Sequence, residues 1–165
     1  ERAMRQTARR LGVPLVPARV GRTYALGRLQ IQVLWPDHAG SPGEHPHLHG
    51  TVLLASYGTI DLLLTGDSES EVTRSLSLRR VEILKVAHHG SSDAGLADEL
   101  GVLRPRVAVI SVGAHNDYEH PRADTLAALH GRPGLALYRT DVHGRVVLES
   151  DGRSLAVRTE RGGVR

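Results

Sequence analysis

Apolar residues along this chain recur with two different periods, one typical of helices and one typical of strands. In 2–11 they return every three or four positions, which predicts an amphipathic helix, and in 29–34 they alternate with polar residues, which predicts a half-buried strand. Segments 51–57 and 59–64 are typical of a hairpin hinged at Gly58, and the second is almost wholly apolar, which predicts a deeply buried strand. Further short strands are predicted at 13–16 and 24–26, and a loop rich in Pro, Gly and His at 35–50.

Beyond residue 67 the pattern changes to strands that alternate with helices. Helices are predicted at 68–78, 95–103 and 121–130, and strands at 81–86, 106–112, 135–139, 145–149 and 154–159. Glu69 and Glu71 suit the first turn of the first of these helices, where acids interact favourably with the helix dipole. Antiparallel strands at both ends and strand–helix alternation between them predict a layered α/β fold in one domain, residues 1–165.

Composition limits the chemistry that this fold can carry. The 165 residues include no cysteine, which excludes disulfides, thiolate nucleophiles and sulfur-ligated metals. They include ten histidines. Any metal must therefore be bound by His, Asp, Glu or Asn. No apolar run approaches the ~20 residues needed to span a bilayer, so we expect a soluble chain.

Arginine is concentrated near both ends of the chain, although Lys and Arg exceed Asp and Glu only by 21 to 18. Guanidinium groups bind phosphate oxygens in pairs, so the arginines could form a surface for a nucleic-acid backbone. A solvated surface rich in arginine is the alternative. The candidate phosphate contacts are Arg22, Arg74, Arg122 and Arg139.

Three successive predicted strands are each followed by residues that can carry chemistry. Asp67 follows the first, His88 and His89 follow the second, and His120 lies in the loop after the third. Because the loops at the ends of neighbouring strands lie side by side in open α/β sheets, we expect these four side chains to converge. Alternative roles are a helix N-cap for Asp67, a hydrogen-bonded loop for the paired histidines, and positioning of the next helix for His120.

Imidazole and carboxylate together are ligands of Zn²⁺ or Mn²⁺, and a pair of such ions suits phosphodiester hydrolysis. One Asp and two or three His are too few for two ions. The residues by themselves therefore predict a partial metal site on an α/β sheet.

Four spaced motifs around these residues resemble a known family. They are Leu-Leu-Thr-Gly-Asp67, then Leu84-Lys-Val-Ala-His-His-Gly-Ser91, then Ile110-Ser-Val-Gly113 with Asn116-Asp-Tyr-Glu-His-Pro121, and Tyr138-Arg-Thr-Asp141; Val33-Leu34-Trp35-Pro36 also matches. In this order they resemble the metallo-β-lactamase-like domain of the ComEC family, bacterial DNA-uptake channel proteins of natural competence. The resemblance runs from about Gly12 to the C-terminus.

The resemblance implies a metallo-β-lactamase-like αβ/βα sandwich of which this chain is roughly the C-terminal two thirds, with the N-terminal portion missing. It implies that Asp67 is a ligand bridging two divalent ions, Mn²⁺ or Zn²⁺, and that His89 is a later ligand. His88 is expected beside it, contacting metal or phosphate, and His120 as a ligand, proton donor or phosphate contact. The expected catalytic residues are Asp67, His88 and His120, and the expected substrate contacts are Asn116, Tyr118, Ser91 and Arg139.

The chain departs from the family pattern in two places. The early Ser-His-x-Asp-x-Asp-His-x-Gly-Gly motif, which supplies most ligands of the metal pair, does not occur in it. An Asn-x-x-Ser type segment is replaced by His45-Pro-His47-Leu-His49, where His49 is a candidate replacement ligand or the loop is simply variable. We therefore expect one loosely bound ion or none, and weak or absent hydrolysis by the chain alone.

The function implied for the complete domain is a metal-dependent nuclease that degrades one strand of incoming DNA. Its partners would be a single DNA strand held by its backbone and the rest of a membrane protein, with the domain on the extracytoplasmic face of the bacterial cytoplasmic membrane. A homodimer of the fragment is a further expectation. The alternatives are a degenerate domain that binds nucleic acid or a partner without catalysis, and a phosphodiesterase of the same fold acting on another ester.

Overall fold

The computed structural model describes residues 2–37 and 45–162. Five helices and nine strands are found in these residues, with a short 3₁₀ turn at Pro46–His49 and a turn at Ala87–Gly90 that contains left-handed residues. The helices are α1 Arg2–Arg10, α2 Ser70–Thr73, α3 Leu96–Leu103, α4 Ala123–His130 and α5 Thr140–His143. The strands are β1 Thr23–Leu26, β2 Leu29–Trp35, β3 Val52–Tyr57, β4 Ile60–Leu64, β5 Ile83–Lys85, β6 Val107–Ile110, β7 Ala136–Arg139, β8 Val146–Ser150 and β9 Leu155–Thr159.

Strands β1 to β7 form one sheet in their order along the chain. The pairs from β1 to β4 are antiparallel, and those from β4 to β7 are parallel, with Ile83 opposite both Leu62 and Val107. Strands β8 and β9 form a separate antiparallel hairpin. The predicted α/β class is confirmed, whereas the finer assignment to the metallo-β-lactamase sandwich stays a prediction.

The central strands of the large sheet are buried on both faces, as expected for apolar parallel strands, whereas the edge strand β1 is exposed. On β5, Ile83 packs with Val157 of the β8–β9 hairpin, whereas its neighbour Leu84 packs with Leu100 of α3 in a separate cluster. Successive side chains of a strand point to opposite faces, so helices cover one face and the hairpin covers the other. This arrangement leaves the carboxyl ends of the parallel strands open to carry loops.

Three predicted elements differ most from the structure, in extent or in kind. Segment 13–16 is not a strand, because Pro14 and Pro17 cannot donate to a ladder and its valines are about half exposed. The helix predicted at 68–78 is limited to Ser70–Thr73, since the Ser75 hydroxyl donates to the Val72 carbonyl and competes with helical bonding. Within the loop predicted at 35–50, Trp35 belongs to β2, 46–49 forms a turn, and 38–44 lie outside the described residues.

Among the described helices, none has the length and apolar character that crossing a bilayer would require.

Candidate active site at the ends of the parallel strands

The loops that follow β4, β5 and β6 bring the predicted residues together at one edge of the sheet. His89 Nε2 lies 3.8 Å from Asp67 Oδ1, and the ring centroids of His88 and His120 are 5.7 Å apart. These contacts arise because the three strands are parallel neighbours and so end on the same side. The expected convergence of the four side chains is therefore present.

Backbone strain is concentrated where the two histidines stand. His88 (φ 45°, ψ 43°) and His89 (φ 56°, ψ 18°) are both left-handed, a conformation that costs an L-residue about 1–2 kcal/mol. The turn is held by the His88 N–H, which donates to the Gly66 carbonyl at 3.1 Å, and by the Ser91 N–H, which donates to the His88 carbonyl at 3.0 Å. The fold thus maintains a strained turn at the point where the candidate chemistry lies.

His89 is oriented by its hydrogen bond to the next loop. Its Nδ1 lies 2.6 Å from the Ser111 carbonyl oxygen, and since a carbonyl can only accept, Nδ1 must carry the proton. In the neutral ring, Nε2 then presents a lone pair to Asp67 at 3.8 Å. Two acceptors that face each other are stabilised by a cation between them, either a proton on the ring or a metal ion.

His88 is oriented by a carboxylate that sequence reasoning had assigned only to a helix dipole. Glu69 Oε1 lies 2.9 Å from His88 Nδ1 and also accepts a hydrogen bond from the Ser91 hydroxyl. Glu69 stands at the N-cap of α2, yet its side chain makes no capping bond. It is a site residue that the sequence reasoning missed, and its position two residues after Asp67 in the same loop was the available signal.

Asn116 braces the 113–120 loop rather than projecting freely from its rim. Its Nδ2 donates to the carbonyls of Gly113 (3.0 Å) and His120 (2.7 Å), and its Oδ1 accepts from the His120 N–H at 3.0 Å. Burial lowers the pKa of the His120 imidazole, and the neighbouring His88, His89 and Arg122 lower it further, while Glu69 opposes them.

A cavity of about 450 Å³ opens beside these groups. Its wall includes His89, Gly113, Asn116, Tyr118 and His120. Ligand sites in proteins have volumes of roughly 300–1,000 Å³, so one small molecule or one unit of a polymer fits there.

Two predicted substrate contacts already have partners within the protein. Arg139 Nε and one terminal nitrogen lie 3.1 and 2.5 Å from the two oxygens of Asp141, and this hydrogen bonding lowers the pKa of the Asp141 carboxyl. The Ser91 hydroxyl donates to Glu69. Their roles toward a substrate stay predictions.

Lys85, the single lysine of the chain, lies next to the loop that carries Asp67. Its Nζ is 3.3 Å from the Gly66 carbonyl oxygen; burial lowers the pKa of the ammonium group, and the charge of Asp67 opposes that effect. The sequence reasoning had given this residue no role. Its position shows that the Asp67 carboxylate already has a neighbouring cationic side chain.

The donor set fits part of a metal site. Asp67 and His89 offer one carboxylate and one imidazole nitrogen, but the described residues contain no group of three His, Asp or Glu able to hold an ion. His49, the predicted replacement ligand, is half-buried in the turn Pro46–His49, next to Gly50, whose carbonyl accepts from the Ser68 hydroxyl. Catalytic zinc sites use about three protein ligands, so two donors indicate an incomplete site.

Comparison with known proteins finds relatives of much greater length. No family model matches the chain. It is similar to ComE operon protein 3 of Bacillus subtilis (32% identical over 145 residues, 86% of this chain and 18% of that protein) and to Recombination protein 2 of Haemophilus influenzae (33% over 128 residues, 76% and 16%). The chain thus spans less than a fifth of either relative. These similarities support the competence-associated family that the motifs resemble.

Proposed function

We propose that this chain carries one catalytic edge of a phosphodiester hydrolase that cuts a DNA strand during DNA uptake. The observation that supports it most is the meeting of Asp67, His88, His89 and His120 at the ends of three parallel strands. Similarity to two competence-associated relatives supplies the DNA-uptake context.

Each residue has a distinct part in this proposal. Asp67 and His89 hold a divalent cation, Mn²⁺ or Zn²⁺, and such a cation, when bound, supplies Lewis-acid chemistry toward a phosphoryl oxygen. His88, whose Nδ1 is bonded to Glu69, turns its Nε2 away from that carboxylate and is suited to proton transfer. His120 is the second imidazole within reach of the same substrate position.

The remaining metal ligands come, in this proposal, from another part of a longer parent protein. The reasons are that the described residues supply only two donors and that the relatives are more than five times as long as the matched region. We further propose that the parent is a membrane protein carrying this domain on the extracytoplasmic face. Arg122, 42% exposed and ion-paired with Glu119 at 2.6 Å, is placed next to His120 to contact the DNA backbone.

A nucleic-acid-binding domain without catalysis is the second candidate. It is favoured by one observation, the lack of a third metal ligand among the described residues. The two candidates differ in what Asp67 does, because a domain that only binds DNA does not need the Asp67 carboxylate to hold a cation.

The test is cleavage of a labelled single-stranded oligonucleotide with Mn²⁺ by the long parent protein that contains this segment. Asp67→Ala should lower the rate by at least about 100-fold, since even residues that only support metal ligands cost 10–100-fold. Asp98→Ala, which removes an exposed carboxylate of α3, is the matched control and should cut at the wild-type rate. Equal rates for Asp67→Ala and wild type would refute the proposal, and DNA binding without any cleavage would favour the second candidate.

A further inference from the structure

Tyr118 differs in exposure from the other aromatic residues of this chain. The protein has four tyrosines, one tryptophan and no phenylalanine. Tyr118 is 76% exposed, compared with 40% for Tyr24 and 8% for Tyr138. An aromatic ring is a large apolar surface, and leaving one in water beside a candidate active site suggests that it binds something there.

The loop that carries Tyr118 is braced on both sides of it. Asn116 closes the loop by its three hydrogen bonds to Gly113 and His120. Glu119, left-handed at φ 55°, pairs with Arg122 at 2.6 Å. The Tyr118 ring therefore stands on a loop whose backbone is fixed before any ligand arrives, which lowers the entropic cost of binding.

The surroundings of the Tyr118 ring favour a flat aromatic ligand. The ring lies 5.8 Å from the His120 ring, with only 30° between the two planes. Both rings line the cavity of about 450 Å³ that also reaches His89. A Cβ atom added at Gly113, on the same wall, would meet nothing within 4 Å, so this part of the cavity is open.

We infer that Tyr118 and this cavity form a subsite that stacks one unpaired nucleobase of a single-stranded nucleic acid beside the hydrolytic residues. The inference rests on the proposed function and specifies its substrate, because a base in a duplex is already stacked and cannot reach the ring. Every base has a π-face, so the subsite tolerates all sequences and selects for the single-stranded state.

The inference is tested by binding alone, with the 165-residue chain in a buffer that contains a chelator. Anisotropy of a labelled single strand is compared with that of a strand of equal length whose sugars lack bases, and with a duplex. Wild type should bind the normal strand more tightly than either. Tyr118→Ala should weaken binding of the normal strand roughly 5- to 150-fold, leaving the abasic strand unchanged.

Three further variants separate stacking from general damage. Tyr118→Phe keeps the ring and should bind as wild type does. Gly113→Leu fills the cavity without altering Tyr118 and should weaken binding of the normal strand only. Tyr24→Ala, at the exposed edge strand β1, is the matched control and should have no effect.

Equal affinity of wild type and Tyr118→Ala for the normal strand would overturn the inference, as would equal affinity of wild type for normal and abasic strands or an absence of binding. These outcomes do not involve cleavage. If cleavage by the parent protein depends on Asp67 but binding does not depend on Tyr118, the subsite is wrong and the proposed function stands. The reverse result would support the subsite and refute the hydrolase.

Discussion

Gly90 ends the turn that carries His88 and His89, and it packs against Pro121 in the loop that carries His120. Replacing Gly90 by alanine should push these two segments apart. Its φ is +84°, and a Cβ atom there would lie 2.6 Å from the Pro121 Cβ and 3.2 Å from the Pro121 Cα. Two penalties add up, about 1–2 kcal/mol for a left-handed L-residue and about 1–3 kcal/mol for overpacking. We expect Gly90→Ala to lower the free energy of unfolding by about 2–5 kcal/mol.

Alanine substitutions at two other glycines, measured by urea denaturation, distinguish the cost of the left-handed conformation from the cost of overpacking. Gly134 has φ +77° but nothing within 4 Å of an added Cβ, so Gly134→Ala should cost only the conformational part, about 1–2 kcal/mol. Gly113 has neither a positive φ nor a close neighbour, and Gly113→Ala should leave stability within about 0.5 kcal/mol of wild type. Equal losses for Gly90→Ala and Gly134→Ala would refute the packing of the histidine turn against Pro121.

Two further predictions concern carboxylates. Glu69→Ala removes the partner of His88 Nδ1 and should lower cleavage by the parent protein by about 100-fold, the lower end of what a positioned proton-transfer group contributes. Glu69→Gln keeps an acceptor and should lower cleavage less; equal losses in both variants would contradict an orienting role. Burial raises the pKa of Glu99 from 4.5 to about 7. Between these pH values the folded protein retains a proton that the unfolded chain releases, so the free energy of unfolding should fall by about 3 kcal/mol as pH rises from 4.5 to 7. In urea denaturation across this pH range, the free energy of unfolding of Glu99→Gln should depend less on pH than that of wild type. The same pH dependence in both proteins would contradict the burial of the Glu99 carboxyl.

The parts of the structure that sequence could predict are those set by local pattern. Alternation in 29–34 predicted β2, and the rule for strand ends predicted that Asp67 and His89 would meet. The Glu69–His88 contact was missed, because it depends on the left-handed turn at His88, a backbone geometry that the rule for strand ends does not supply. Asn116 was predicted at the rim from a motif, but its bracing of the 113–120 loop depends on backbone geometry that no motif states.

Local side-chain competition explains why the helix predicted at 68–78 is too long. The apolar spacing in 68–78 favours a helix, yet Ser75 bonds to the Val72 carbonyl and the helix ends at Thr73. Apolar periodicity indicates which residues pack into the core, but it does not predict hydrogen bonds of this kind.

Mn²⁺ titration followed by electron paramagnetic resonance shows whether Asp67 and His89 share one divalent cation. The 165-residue chain should bind one ion weakly, and Asp67→Ala and His89→Ala should each weaken binding at least about 10-fold. Asp98→Ala should bind as wild type does. Mn²⁺ binding that survives both site substitutions unchanged would contradict a cation shared by these two residues.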